Sequence, residues 1–325
     1  MKAIVTGGAG FIGSHLVDLL VKKKYNVVVI DNFSTGRRSN LSHIKKKIKV
    51  VEGDLSRLSN WKIFFKEADI VFHLAAQADI VPSIQKPKSY FNSNVSGTIN
   101  VLELCIKFNV KKIVYAASSS CYGIPDKFPT KESSIIKPEY PYALTKSMGE
   151  ELIMHWAKVY NLSSVSLRFF NVFGTRSRTS GTYGAVLGVF LKQKLSKLPY
   201  TVVGNGEQKR DFTYVTDIAN ALYLASKHKK TNIFNVGSGK PHSINYLVKL
   251  LGGDKVYIPK RPAEPEITYA DISKIKKELS WKPKVSFEEG IKKVLKNINN
   301  WKDAPLWTPK KISKATKDWF KYLKR

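Results

Sequence analysis

The chain has 325 residues, is 43% hydrophobic and carries 55 basic against 25 acidic side chains, a formal charge of +30. That length and apolar content allow one large domain or two modest ones with a substantial core and exclude a disordered chain. No apolar run approaches the ~20 residues that span a bilayer, no secretory h-region precedes the first strand, and the two cysteines, Cys105 and Cys121, form no metal or disulfide pattern, so no membrane partner and a reducing, cytoplasmic setting are expected.

KAIVT (2–6) reads as a short apolar strand. TGGAGFIGSH follows and places Gly7, Gly10 and Gly13 in a G-x-x-G-x-x-G array ahead of helically spaced apolar residues at 11–23. Glycine there permits a tight turn and close backbone approach to a pyrophosphate, while the helix N-terminus supplies N–H donors and a positive dipole. An ordinary strand–helix turn has the same spacing; the flanking strand and helix favour the nucleotide. The second strand, NVVVID (26–31), ends in Asp31, where a carboxylate would hydrogen-bond an adenosine ribose diol. Asp31 would repel a 2′-phosphate, so NAD is expected over NADP, with Arg37 and Arg38 pulling the other way.

HIKKKIK (43–49) joins this strand to a third, IKVVEGDL (48–55). Asp54 at its end is placed to reach an adenine amino group, or serves as a turn aspartate. A fourth strand, DIVFHLAA (69–76), carries His73, which reads as packed or hydrogen-bonded rather than catalytic. A helix over about 88–108 and a fifth strand, KKIVYAAS (111–118), lead into ASSSCYG (117–123).

The next helix, about 141–160, opens with Tyr142-x-x-x-Lys146, one turn apart on one face. An ammonium beside a phenol favours phenolate and would make Tyr142 a usable acid/base. The spacing is not decisive, because Tyr223-x-x-x-Lys227 has it too and composition alone yields about two such pairs. Position separates them: Tyr142 follows a strand ending in Ser118, whereas Tyr223 and Lys227 lie on an amphipathic helix and read as surface or packing.

With SSVSLRFFNV (163–172) as a sixth strand, residues 1–172 form an α/β, Rossmann-like, doubly wound parallel sheet. The pattern then changes. RSRTSGTYG reads as a loop and AVLGVFLKQKL as a helix. A helix at 217–227 and a strand at 233–239 imply that 211–238 returns to the sheet. Residues 173–210 and 239–325 are expected to form a smaller, discontinuous α+β substrate domain. Its tail reads as a terminal helix, with Thr308 as N-cap, Pro309 at the first helical position and Trp319, Phe320 and Tyr322 docked on the body.

The lysines are spread over the whole chain, and only nine of the basic residues are Arg, the better donor for planar recognition. A solvated lysine-rich surface is therefore favoured over nucleic-acid binding. Its field would still steer an anionic small substrate.

TGGAGFIG, DNFSTG, HLAAQ, SNVSGT, SSSCYG, YPYALTK, RFFNVFG, RDFTYVTD, FNVGSG and ADISK together resemble the extended short-chain dehydrogenases/reductases, in the NAD-dependent nucleotide-sugar epimerase and dehydratase group, over nearly the whole chain. The resemblance implies that Phe11, Ile12, Asn32, Leu55, Leu74, Ala75, Ala76 and Asn94 approach NAD beside the glycines, Asp31 and Asp54. It implies that Ser118 hydrogen-bonds the sugar and the Tyr142 phenol, and that Lys146 also contacts the nicotinamide ribose. Asn171, Arg210 and Arg261 match residues that hold a substrate diphosphate, a role that suits guanidinium forks; Glu264 matches an acid on the uridine ribose. Thr268 falls at a position that gates pocket size.

Dehydratases of this kind carry acids after the catalytic Ser or Thr, whereas here Ser118 is followed by Ser119 and Ser120. That favours 4-epimerisation, in which Tyr142 takes the C4 hydroxyl proton, hydride passes reversibly to tightly bound NAD and a 4-keto sugar turns over between transfers. UDP-glucose/UDP-galactose, their N-acetyl forms and UDP-glucuronate are all admitted as substrates. The alternatives are a dTDP-glucose 4,6-dehydratase with displaced acids, a uronate epimerase, and a catalytically silent relative binding NAD or RNA. A homodimer through helices of the first domain is expected by analogy.

Overall fold

The computed structural model describes residues 1–177 and 183–324, so most of the expected 176–184 loop lies outside the described residues. Seven parallel strands form one sheet. They are β1 (Lys2–Thr6), β2 (Asn26–Asp31), β3 (Ile48–Glu52), β4 (Ile70–His73), β5 (Lys112–Ser118), β6 (Ser163–Phe169) and, returning late, Asn232–Val236. Their spatial order places the late strand at one edge, then β6, β5, β4, β1, β2 and β3. The chain builds outward from β1 in one direction and from β4 in the other. The crevice at the C-terminal ends of β1 and β4 is thus the switch point where such sheets bind ligands.

The strands are near-continuous apolar runs because both faces are covered. On one face Val5 and Val29 pack with Leu16, Val17 and Leu20 of α1 (Phe11–Lys22) and with the helix Val215–Ala225. On the other, Ile4, Ile30 and Ile113 pack against helices carried by the β4–β6 half. These are the short α2 (Ile80–Gln85) and α3 (Pro87–Phe91), then α4 (Gly97–Lys107) and α5 (Pro141–Tyr160). The helix expected over 88–108 is a continuous path interrupted by a π-helical turn, Asn92–Ser96. Tyr223 and Lys227 have the packing role expected of them: Lys227 lies 5.4 Å from the Tyr25 ring and 5.7 Å from that of Tyr223.

The second domain gathers Phe190, Tyr200, Val202, Leu247, Ile291 and Trp301 into its own core. Its strands Tyr200–Val203 and Lys255–Ile258 pair in parallel. Two expectations are corrected. Residues 270–281 do not belong to this domain, because Ala270, Ile272, Ile275, Leu279 and Trp281 pack into the first core. Trp281 there donates to the Asp217 carbonyl at 3.0 Å. The tail is two short helices, Pro309–Ala315 and Lys317–Leu323, broken at Thr316, rather than one. Thr308 does cap the first, accepting from the Lys311 N–H, with Pro309 at its first position. Trp319 is buried and Phe320 half-buried, but Tyr322 is 60% exposed and does not dock.

Candidate active site

A cleft of about 670 Å³ runs from the β1–α1 turn to the second domain. Its floor at one end is the glycine array. Gly7 has φ +68°, and a Cβ there would sit 2.8 Å from the Ala75 backbone nitrogen. A Cβ on Gly13 would lie 2.2 Å from the Gly7 carbonyl oxygen. Only glycine lets the turn close onto β4 and the first turn of α1 close onto β1. Gly10 caps α1 and makes no side-chain hydrogen bond to the helix N–H groups.

Asp31 lines the cleft at the end of β2, its oxygens accepting from the Ala9 N–H at 2.9 Å and the Phe33 N–H at 2.8 Å. Burial raises its pKa, and those two N–H bonds pull it back down. Phe11, Ile12 and Asn32 line the same end, as do Asp54 and Leu55 after β3 and Leu74, Ala75 and Ala76 after β4. Arg37 also reaches the cleft and donates to the Arg176 carbonyl at 3.2 Å, while Arg38 is taken up by Glu52 at 2.6 Å. A glycine cradle, an open helix N-terminus and a carboxylate at the second strand fit a dinucleotide with a free ribose diol.

Asn94 stands apart from the other residues implied to approach NAD. It is 1% exposed and does not line the cleft. Its amide donates to the Gln77 carbonyl and to Thr145 Oγ1, both at 3.0 Å, and its oxygen accepts from the Gln77 N–H at 2.8 Å. It fastens the segment after β4 to α5 from behind the cleft wall.

At the middle of the cleft, β5 delivers Ser118 and the first turn of α5 delivers Tyr142 and Lys146. Tyr142 stands near enough to Ser118 for that residue to pull the phenol pKa down. Ser118 Oγ donates to Ser120 Oγ at 3.0 Å and accepts from the Ser120 N–H at 3.2 Å. Ser120 in turn pulls down the pKa of Tyr140, whose ring stacks at 6.4 Å and 11° on that of Tyr142. The bonded Ser118–Ser120 pair thus sits beside the stacked Tyr140 and Tyr142 rings.

The expected acidified phenol is not what this packing gives. Burial raises the Tyr142 pKa, Ser118 beside it lowers it and the Asp79 charge raises it further. Lys146 is itself perturbed: burial pushes its ammonium down to about 7 against an upward pull from Glu150. Its Nζ lies 4.2 Å from the Tyr115 ring centroid. Burial is the largest influence on both groups and disfavours the charged form of each. His73 takes no part, being 1% exposed and bonded to Thr6 at 2.8 Å and Thr98 at 2.9 Å. Cys121 is buried filler, and Gly123 turns the chain at φ +62°.

At the far end, Asn171, Arg210, Arg261 and Glu264 all line the cleft. Arg210 donates to Glu264 at 2.9 Å, and Arg261 lies 3.7 Å from the other Glu264 oxygen. Thr268 does not line it. Its hydroxyl donates to Asn171 Oδ1 at 2.6 Å and accepts from the Asp211 N–H at 3.0 Å, so it steadies Asn171. Residues not anticipated include Asp79, Tyr140, Tyr183 and Trp319. Tyr140 had a signal, standing two residues before Tyr142; Trp319 had none short of the tertiary fold. No group of three or more potential metal ligands occurs among the described residues.

Residues 4–294 match the family model described as GDP-mannose 4,6 dehydratase. The chain is a member of this nucleotide-sugar epimerase and dehydratase family, a branch of the extended short-chain dehydrogenases/reductases. Among its relatives, a putative UDP-glucose 4-epimerase of Methanocaldococcus jannaschii is 38% identical over 305 residues, 91% of this chain and 98% of that one. The crystal structure of UDP-glucose 4-epimerase from Thermotoga maritima with UDP-glucose superposes with a TM-score of 0.88 at 34% identity, covering 92% of this chain and 99% of that one. A UDP-glucuronic acid 4-epimerase from Bacillus cereus, in complex with UDP-glucuronic acid and NAD, gives 0.86 at 31% identity over 92% and 99%. The family's Rossmann-like sheet is the one found here.

Proposed function

We propose that this family member is an NAD-dependent isomerase that inverts C4 of a UDP-hexose through a transient 4-keto sugar. The observation that carries the reading is that Ser118, Tyr142 and Lys146 line the middle of one cleft that joins a dinucleotide cradle to two arginines. Arg210 and Arg261 bind the diphosphate bidentately, and Glu264 turns to the nucleoside ribose. Ser118 orients the C4 hydroxyl, Tyr142 accepts its proton and later returns it, and Lys146 holds the ribose at that end. NAD, when bound, supplies the reversible hydride acceptor. Ser119 and Ser120 offer no proton-transfer acid where a dehydratase needs one. UDP-glucose and UDP-galactose are the expected substrates, with N-acetylhexosamine and glucuronate forms in the same chemical class.

Incubation of the pure protein with UDP-glucose, UDP-N-acetylglucosamine, UDP-glucuronate and dTDP-glucose tests this. A C4 epimer supports it, and a 4-keto-6-deoxy product refutes it. Tyr142→Phe is expected to lose about 10²–10⁴-fold in kcat while still binding NAD; full activity would remove Tyr142 from its role. A homodimer is part of the same reading. It is supported by Phe91 of α3 and Leu144, Val159 and Tyr160 of α5, apolar and 44–55% exposed on helices that pack together. Light scattering of a Leu144→Lys variant tests it.

A further inference from the structure

Residues 301–324 lie beyond the stretch that matches the family model, which ends at residue 294. They nevertheless return to the cleft. Trp301 is fully buried in the second core, and the Trp307 carbonyl accepts from Gln193 Nε2 at 2.8 Å. After the break at Thr316 the chain crosses to the first domain, where Asp318 accepts from Gln85 Nε2, at the end of α2, at 2.8 Å. Directly after the second anchor comes Trp319, 4% exposed and lining the cleft.

Trp319 touches the segment that carries Arg261. Its Nε1 donates to the Pro262 carbonyl at 2.8 Å, and its ring lies 5.3 Å from the Arg261 guanidinium carbon. The Tyr183 ring flanks the same guanidinium at 4.8 Å, and its hydroxyl accepts a hydrogen bond from Arg261. Arg261 is thus held between two aromatic rings, one from the second domain and one from the tail. A guanidinium flanked in this way is held in place by its ring neighbours and the Tyr183 hydroxyl, with its remaining N–H groups able to turn from Glu264 to an anion.

We propose that the C-terminal segment is a strap across the cleft, and that Trp319 is a positioning residue that holds Arg261 ready for the diphosphate of the ligand. The nature of that ligand rests on the reading given under Proposed function; the strap's action does not depend on which sugar follows the diphosphate. The strap acts on affinity, not on proton transfer, so its loss raises KM for every nucleotide sugar alike and leaves kcat nearly unchanged.

UDP binding by titration calorimetry to the wild type, Trp319→Ala, Arg261→Ala and the double variant tests the proposal. Trp319→Ala is expected to weaken UDP by about tenfold. Because it acts through Arg261, the double variant should bind within about twofold of Arg261→Ala. Asp318→Ala, which severs the anchor to Gln85 outside the cleft, should move affinity in the same direction by less, and stands in if Trp319→Ala does not fold. Unchanged UDP affinity in Trp319→Ala, or losses that multiply in the double variant, would overturn the proposal. A wild type that binds no UDP overturns both it and the ligand class. A wild type that binds UDP yet epimerises no sugar overturns the assigned reaction alone, and the binding cycle still decides the part played by Trp319.

Discussion

Removing Glu150 should damage the protein twice, once in stability and once in the titration of the site. Glu150 lies one turn beyond Lys146 on α5, its side chain 8% exposed against 5% for Arg168 on β6. Its carboxylate accepts from Arg168 Nε at 3.0 and 3.1 Å, from Arg168 Nη2 at 2.5 Å and from Ser166 Oγ at 2.6 Å. Burial works against the Arg168 charge, and the Glu150 hydrogen bond and charge more than restore it. In Glu150→Ala that cation keeps only neutral partners, the Tyr122 hydroxyl at 2.7 Å and the Glu132 carbonyl at 3.0 Å.

An uncompensated buried charge costs about 3–5 kcal/mol. At roughly 2–4 °C per kcal/mol for a domain of this size, Tm should fall by roughly 6–20 °C in a calorimetric scan. Glu150→Ala/Arg168→Met, which removes the stranded charge, should recover part of that loss, although the Tyr122 hydroxyl loses a partner too. Glu150 also supports the Lys146 ammonium, already pushed down to about 7 by burial, so the variant should lower that pKa further. Any Lys146-dependent limb of the kcat profile would then move to lower pH. A Glu150→Ala protein within about 1 kcal/mol of wild type in urea would refute the argument, since surface pairs are worth no more than that.

Lys146→Met should be inactive yet more stable than wild type at low pH. The folded pKa, about 7, lies below the ordinary lysine value of 10.5, so the unfolded chain binds more protons between those values and stability rises with pH across them. Below about pH 7 the wild type carries the whole penalty, at most about 4–5 kcal/mol at 1.36 kcal/mol per unit, and the variant's advantage should fade toward about pH 10 in urea melts. Gly13→Ala places a Cβ 2.2 Å from the Gly7 carbonyl oxygen, backbone against backbone. It should cost about 1–3 kcal/mol in stability and weaken NAD binding in a fluorescence titration, whereas normal NAD affinity would mean that the turn can open without loss.

The sheet was legible because its signals are local. Six apolar strands, the glycine array and the capped tail follow from residues within a few positions of one another, and Pro141–Tyr160 falls where its pattern placed it. What failed was tertiary. Residues 270–281 carry no mark of the domain they join, because Trp281 is bonded to Asp217, 64 residues away in sequence. Thr268 could be aligned to a gate but not oriented, since its orientation depends on Asn171 and Asp211. The direction of the Tyr142 shift depends on the same tertiary environment. A pair spacing conveys charge proximity, while the desolvation that outweighs it is a property of the assembled cleft.

Asp79 is the residue on which the choice between epimerisation and dehydration turns. The family model is described for a dehydratase. Four carboxylates among the described residues line the cleft: Asp31 and Asp54 stand at the dinucleotide end, and Glu264 is engaged by Arg210. Asp79, at the start of α2, is the one close enough to Tyr142 to raise its pKa. A negative charge beside a phenol disfavours phenolate, so Asp79→Asn should lower the Tyr142 pKa and move the acidic limb of kcat/KM to lower pH. An epimerase loses little else, because Ser118 and Tyr142 still manage the C4 proton. If Asp79 were instead a displaced proton-transfer acid for water expulsion, the wild type would form a 4-keto-6-deoxy sugar and Asp79→Asn would not. The pH profile of C4 inversion, with product analysis by NMR, separates the two, and a limb that stays put would remove Asp79 from the electrostatics of the phenol.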